Sequence, residues 1–394
     1  MSARTAWVAA MSLAQLVSWG SLYYTFSLLM PALERDLGLG RIEVSGAFSA
    51  SLAAAGLSGV LVGRWIDRGH GRAVMTGGSL LAGVLLLAHA TVDTPAGLYA
   101  VWIGLGVAMA ATLYEPAFSI LIRRWPDDYR RSLIAMTFLG GLASTVFIPL
   151  ADLLIDRLGW RGTCVTLAAL HLGLCLPIHW RMLVGEPGRS APAGRPGGAD
   201  DGLRGLALSP AFLLITAFVV ISMGCIAALS AHMVPMLRER GLPEAWAVAV
   251  PASIGAMQVL GRLVLFALEG RIDPQRFDRA VPLLLPASVA LLLVAGGSVT
   301  AALAFAALYG VGNGLMTIVK ATAIAQYVSR ERVAALAGLQ SLPSAMARAA
   351  GPIALAALWS VTGDYRLGLA VLAAAGVAAA ALLWLAQRAA LRRP

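Results

Sequence analysis

Apolar runs of about 20 residues or more recur along this chain, separated by short polar segments, near 6–30, 44–62, 74–90, 97–122, 132–155 and 162–183. They resume near 209–236, 245–267, 280–298, 301–327, 333–361 and 366–387. A helix needs about 20 apolar residues to cross the hydrocarbon core of a bilayer. Within lipid every backbone N–H and C=O has to be bonded internally, which leaves only helices and closed barrels. These runs are continuous rather than alternating, so barrel strands are excluded. They predict an all-α membrane protein with twelve transmembrane helices. Composition agrees: 59% of residues are hydrophobic and 13% charged, against roughly half and a quarter in a soluble domain. Arg4 precedes the first run, but no small-residue cleavage site follows it, so a retained first helix is expected.

Orientation follows from the basic residues. With the amino terminus cytoplasmic, 21 of the 30 Lys and Arg fall on inner segments and 7 on outer ones, leaving Lys320 and Arg348 inside the apolar runs. That excess satisfies the positive-inside rule and predicts both termini on the cytoplasmic side of a bacterial inner membrane. The formal net charge of +10 is thereby a topological signal, and nucleic acid is not an expected partner. Cys164, Cys175 and Cys225 all fall within predicted spans, where an odd number gives no disulfide framework. The five histidines lack metal-ligand spacing, and no phosphate-binding G-x-x-x-x-G-K-[ST] loop suggests ATP. No metal, no cofactor and no enzymatic activity are expected.

The segment GEPGRSAPAGRPGGADDG (185–202) is rich in Gly, Pro and Ala and lacks apolar periodicity, the composition of a flexible connection. It predicts an N-terminal six-helix bundle over 1–183, a cytoplasmic linker over 184–207 and a C-terminal six-helix bundle over 208–394. The halves echo each other: GRWIDRGHGRAV (63–74) with GRIDPQRFDRAV (270–281), GLGVA (104–108) with GVGNG (310–314), and GWR (159–161) with DYR (364–366). Three matches in order at nearly constant spacing indicate duplication, a feature of transporters.

Twelve helices in two halves, with GRWIDRGHGR between helices two and three, resemble the major facilitator superfamily. Its motif at that place is a glycine, an aspartate one turn on, and a basic-Gly-basic cluster. Gly63, Arg64, Asp67, Arg68, Gly71 and Arg72 match it, and the resemblance implies a gate that latches the halves. It also implies that helices one, four, seven and ten line a central cavity, with eight and eleven contributing. Glu115 and Lys320 would then face that cavity from opposite halves.

Charges inside the membrane are costly, so each is a candidate functional group. Lys320 is the only lysine in the chain and sits in VKATAIAQ, too far from the predicted membrane edge for its side chain to reach water. Arg348 and Arg262 lie in the runs of helices eleven and eight, and Glu115 precedes Pro116 in helix four. SIGAMQVLGRL (253–263) resembles the monocarboxylate transporters, whose helix eight carries an aspartate and an arginine four apart. Arg262 matches that arginine, and Gln258 stands at the aspartate position. Arg262 with Arg348 also resembles the basic pair of oxalate/formate antiporters, for Arg348 by helix only. No lysine ends helix one as it does in the animal monocarboxylate transporters. Gln258 carries no proton, which shifts the expected proton-coupling role to Glu115.

Arginine guanidinium groups fork onto carboxylate oxygens, and lysine acts as a point charge. The expected cargo is a small organic anion, a mono- or dicarboxylate, moved by secondary active transport coupled to protons or exchange. Arg262, Lys320 and Arg348 would bind the anion, with Gln258, Asn313, Tyr23 and Tyr24 as polar partners and His232 as a further one at the rim or in the site. The alternative is proton-coupled efflux of a drug, metabolite or metalloid, and a third reading is a non-transporting receptor. The expected partners are the substrate, protons and the bilayer, with the protein a monomer.

Overall fold

The computed structural model describes residues 3–125, 129–185, 200–267, 273–294, 297–329 and 332–391. The described residues are overwhelmingly helical, with no strand among them. Among the described residues ten helical segments are long and apolar enough to cross a membrane. Of the twelve predicted passes, one is merged with its neighbour in that number and one is missing from it. The segment Ala135–Met182 is 48 residues long and turns sharply at Gly159, whose φ of 69° and ψ of 172° are non-helical. It therefore makes two passes. The first helix is interrupted by a π-helical turn at Gly20–Tyr24, between Ala3–Trp19 and Phe26–Leu37, so neither piece alone reaches a span. Counted this way the chain makes twelve passes.

The N-terminal six are α1 (Ala3–Trp19, Gly20–Tyr24 and Phe26–Leu37), α2 (Arg41–Asp67), α3 (Gly71–His89), α4 (Pro95–Thr112 with Tyr114–Arg124), α5 (129–158) and α6 (160–182). The C-terminal six are α7 (Pro210–Glu239), α8 (Glu244–Ala267), α9 (Pro274–Ala280, Val281–Leu283 and Leu284–Val294), α10 (Val299–Tyr327), α11 (Val333–Thr362) and α12 (Arg366–Leu391). Contacts divide the chain into two compact units, Met1–Gly194 and Arg195–Pro394. Residues 186–199, most of the expected linker, lie outside the described residues; a short helix, Asp200–Ala207, leads into α7.

Helix starts follow from capping. The Thr94, Ser209 and Ser298 side chains accept the backbone N–H groups of Gly97, Phe212 and Ala301 at the beginnings of α4, α7 and α10, satisfying donors that a helix start leaves open. Within the N-terminal unit, α2 packs on α4 where Gly106 lies against the Ser51 backbone, so that a Cβ there would come within 2.0 Å of a carbonyl oxygen. Within the C-terminal unit, α8 and α10 approach through Gly261, Gly310 and Gly314, the small-residue packing that substitutes for hydrophobic driving force in lipid. The GVGNG echo noted in the sequence is this contact. The C-terminal core joins Leu229, Met233, Phe305 and Tyr309 among other buried side chains. All three cysteines are free and buried.

Candidate functional site

The second half of α4 begins at an extended residue. Leu113 has φ −77° and ψ −161°, which separates Pro95–Thr112 from Tyr114–Arg124 and leaves carbonyls without helical partners. Gln15 of α1, fully buried, donates its amide to the Thr112 carbonyl at 2.7 Å and to the Leu113 carbonyl at 3.3 Å. A broken helix inside a membrane is tolerated where such groups are satisfied again. Nothing but the YEP tripeptide and one glutamine inside an apolar run signals this arrangement in the sequence.

Glu115 lies in the first turn after the break and is exposed; its side chain has no hydrogen-bonding or basic partner among the described residues. Beside it an aromatic chain runs across the unit. Tyr114 stacks on Phe118 at 4.9 Å between centroids and tilts against Trp19 at 5.2 Å. Trp19 meets Tyr23 at 5.4 Å and Tyr24 at 6.4 Å, and Tyr23 continues to Phe48. Tyr23 is buried and Tyr24 half-buried. The π-turn carries both tyrosines, and such turns re-aim side chains, often at functional sites. Trp19 and Tyr114 are additions to the sequence-derived candidates; the WGSLYY and LYEP clusters are where they could have been found.

In the C-terminal unit, Lys320 is half-buried and directs Nζ at the Met223 sulfur of α7, 3.6 Å away. Arg348 of α11 is near enough to repel it electrostatically. Among the described residues neither cation has an acidic partner. Arg262 donates Nε to the Gly314 carbonyl at 3.3 Å, tying α8 to α10. Gln258 is buried at 7% exposure, and its backbone is what a Cβ on Gly314 would strike, at 2.5 Å. Asn313 is the preceding residue and is half-buried. Gln258 and Arg262 therefore meet Gly314 at the α8–α10 contact, while Lys320 lies about 9 Å further along the α10 axis by helical rise. His232 is fully buried, its two ring nitrogens bonded to the Tyr365 hydroxyl and the Pro352 carbonyl at 2.9 Å each, so it joins α7 to α11 and the start of α12. A cavity of about 280 Å³ between α7, α11 and α12 is lined by Gly224, Cys225, Ala228, Gly351 and other uncharged residues. It offers no group for an anion.

At the α2–α3 turn, Asp67 is exposed at 79% and lies 4.0 Å from the Arg123 guanidinium of α4. Arg64 and Arg68 are exposed, and the Arg68 N–H caps the helix through the Arg64 carbonyl at 3.2 Å. Gly63 has open space around it, and Gly71 is buried at the start of α3. Arg72 points elsewhere: it donates Nε to the Trp180 carbonyl of α6 at 2.9 Å and covers the Trp180 ring.

An MFS-type efflux pump of Mycolicibacterium smegmatis (strain ATCC 700084 / mc(2)155) is 29% identical, over 97% of this chain and 93% of its own. Monocarboxylate transporter 13 of Bos taurus is 28% identical, over 76% of this chain and 69% of its own. A bacterial homolog of the human lysosomal transporter Spinster shares the fold, with a TM-score of 0.80 at 14% identity, covering 100% of this chain and 98% of that one. The family model of the Major Facilitator Superfamily matches residues 11–296. With twelve passes in two units and that match, the chain is a multi-pass membrane transporter belonging to the Major Facilitator Superfamily.

Proposed function

We propose that this transporter moves a small organic anion, a mono- or dicarboxylate, by alternating access of its two units. The observation that carries the reading is the pair Lys320 and Arg348. Two cations within electrostatic reach of each other, with a thioether as the hydrogen-bond partner of one, form a costly arrangement in a membrane. A bound carboxylate relieves the repulsion, and Arg348 can grip it through two N–H groups. Arg262, Gln258 and Asn313 supply further donors. Tyr23 and Tyr24 are the tyrosine candidates within the N-terminal unit.

Glu115 is the proton carrier in this reading. The Gly63–Arg72 segment gates the cycle at the cytoplasmic side of the bacterial inner membrane, with both termini on that side.

A thermal-shift screen of the purified protein against carboxylates tests the proposal, since a ligand that binds only the folded state raises the melting temperature. A carboxylate that stabilises the wild type but neither Lys320→Gln nor Arg348→Gln supports it. Silence toward every carboxylate, with a response to drug-like or metalloid compounds, overturns it. That second outcome belongs to proton-coupled efflux, a reading favoured by the name of the Mycolicibacterium relative.

A further inference from the structure

An exposed apolar stripe on α3 ends in a cluster of arginines. Ala73, Gly77, Leu80, Val84 and Leu87 are all exposed, and their spacing of three or four residues puts them on one helix face. In a helix of membrane-spanning length, such a stripe is the surface that meets hydrocarbon. It stops where α3 begins. There the Arg72 guanidinium covers the Trp180 ring at the end of α6. Trp180 is itself exposed, as tryptophans at a membrane–water boundary are.

Two further arginines flank that pair. Arg68 caps the end of α2, and Gly69, at φ 87°, turns the chain into α3, which carries Arg72 in its first turn. Arg181 follows Trp180 directly. Arg68 and Arg181 are both exposed, and neither side chain has a hydrogen-bond or ion-pair partner among the described residues. The acid of the same turn, Asp67, stands 4.0 Å from Arg123. Arg72 also donates Nε to the Trp180 carbonyl, which fastens the start of α3 to the end of α6 and so fixes where Arg181 stands relative to the α2–α3 turn. The cluster is basic, held in place and continuous with an apolar face. Phosphate above and an acyl chain below is the chemistry that matches it.

We propose that this corner of the N-terminal unit binds an anionic phospholipid, its phosphate between Arg68 and Arg181 and one acyl chain along Leu80 and Val84 of α3. Guanidinium groups fork onto phosphate oxygens through paired N–H groups, and basic pockets between membrane helices take anionic headgroups in this way. A net negative headgroup is favoured over a zwitterionic one, whose ammonium would enter the same positive field. Arg72 and Trp180 hold the corner together, and the site depends on no property of the cargo.

The test is native mass spectrometry of the full-length protein in detergent, offered phosphatidylglycerol and phosphatidylcholine with identical chains. Two arginines at about 1 kcal/mol each should make the first phosphatidylglycerol bind about 30-fold more tightly than the first phosphatidylcholine. Arg68→Gln and Arg181→Gln should each lower that preference about fivefold, and the double variant should remove it. If the double variant does not fold, the two single ones decide. Arg276→Gln, at an exposed arginine of the other unit, should leave the preference unchanged. Equal affinity of the wild type for the two lipids overturns the inference. A preference that falls as much in Arg276→Gln as in Arg181→Gln also overturns it, because the attraction would then belong to the whole basic surface. Inorganic phosphate that displaces phosphatidylglycerol at equal concentration would give the arginines to a free anion, and overturns it as well.

Discussion

The Arg72 guanidinium carbon lies 3.9 Å from the centre of the Trp180 ring, fastening α3 to α6 in the N-terminal unit. Its counterparts in the other half are Arg279 and Trp384, which stand 207 and 204 residues further on. There the roles reverse: the Trp384 indole donates to the Arg279 carbonyl at 3.1 Å, and Arg279 Nε donates to Gln387 at 2.8 Å. The same two residue types join the third and sixth helices of both units by different contacts. Duplication has kept the partnership and not the geometry. Arg72, read from the motif as part of a gate, also has this packing role within its own unit.

The Arg72–Trp180 pair is accordingly worth measuring as a pair. Trp180 is exposed at 55%, and cation–π contacts at exposed sites contribute about 0.5–1 kcal/mol. A double-mutant cycle with Arg72→Ala and Trp180→Leu, followed by reversible unfolding in detergent, should return a coupling in that range. Strictly additive single effects would show that the two side chains merely lie near each other.

The α8–α10 contact predicts a sharper effect. A Cβ on Gly314 would lie 2.5 Å from the Gln258 carbonyl oxygen and 2.9 Å from its Cα, and backbone cannot step aside as a flexible side chain can. Gly314→Ala should destabilise by about 1–3 kcal/mol and weaken carboxylate binding, because the Gly314 carbonyl positions Arg262. Gly338→Ala on α11, where no atom lies within 4 Å, should be neutral or slightly stabilising. Equal melting temperatures for the two variants would contradict this account of the packing.

These cases mark what was legible in the sequence. Apolar runs of bilayer length announce helices whatever their neighbours do, so the twelve passes could be read directly. The α8–α10 contact surfaced as the GVGNG echo because close approach demands glycine. Irregularity left a fainter trace: the π-turn at Gly20–Tyr24 is as apolar as its flanks, and the break at Leu113 depends on Gln15, 97 residues before the Thr112 carbonyl it bonds. The aromatic chain from Phe118 through Trp19 to Phe48 was hidden for the same reason, since aromatic residues are ordinary in membrane helices. Among the cations, Lys320 and Arg348 stood out by residue type, while the Arg262 bond to a backbone carbonyl could not be foreseen.

Gln15 gives a test of the broken helix. Replacing it by Leu preserves bulk and removes the two hydrogen bonds to Thr112 and Leu113, leaving buried carbonyls unsatisfied at a cost of about 1–3 kcal/mol. Hydrogen exchange at the backbone amides of residues 114–118 should accelerate in Gln15→Leu and stay unchanged in α3. Uniform acceleration across the whole unit would instead mean global loosening.

Gly63 separates gating from folding. It lies within α2 with no atom within 4 Å of an added Cβ, and alanine there gains helix propensity of about 0.5–1 kcal/mol. Gly63→Ala should melt at or slightly above the wild-type temperature. If the segment gates transport as proposed, the same variant should move cargo several-fold more slowly in proteoliposomes. Wild-type rates in a well-folded variant would remove Gly63 from the gate.

Lys320 makes opposite predictions for stability and for binding. Its Nζ is directed at the Met223 sulfur, with Arg348 adding repulsion, so the charge is a cost in the unloaded protein. Lys320→Met keeps most of the length and apolar stem, removes the charge, and extends a methionine contact. The variant should gain about 1–3 kcal/mol of stability and rise in melting temperature without ligand. If Lys320 binds the anion as proposed, the variant should also lose any stabilisation that carboxylates give the wild type. A residue present for packing alone would move stability and leave ligand response intact. One balanced by an acid would lose stability on substitution. A higher melting temperature combined with a silent ligand response is the pattern that only a binding charge, retained against its own cost, produces.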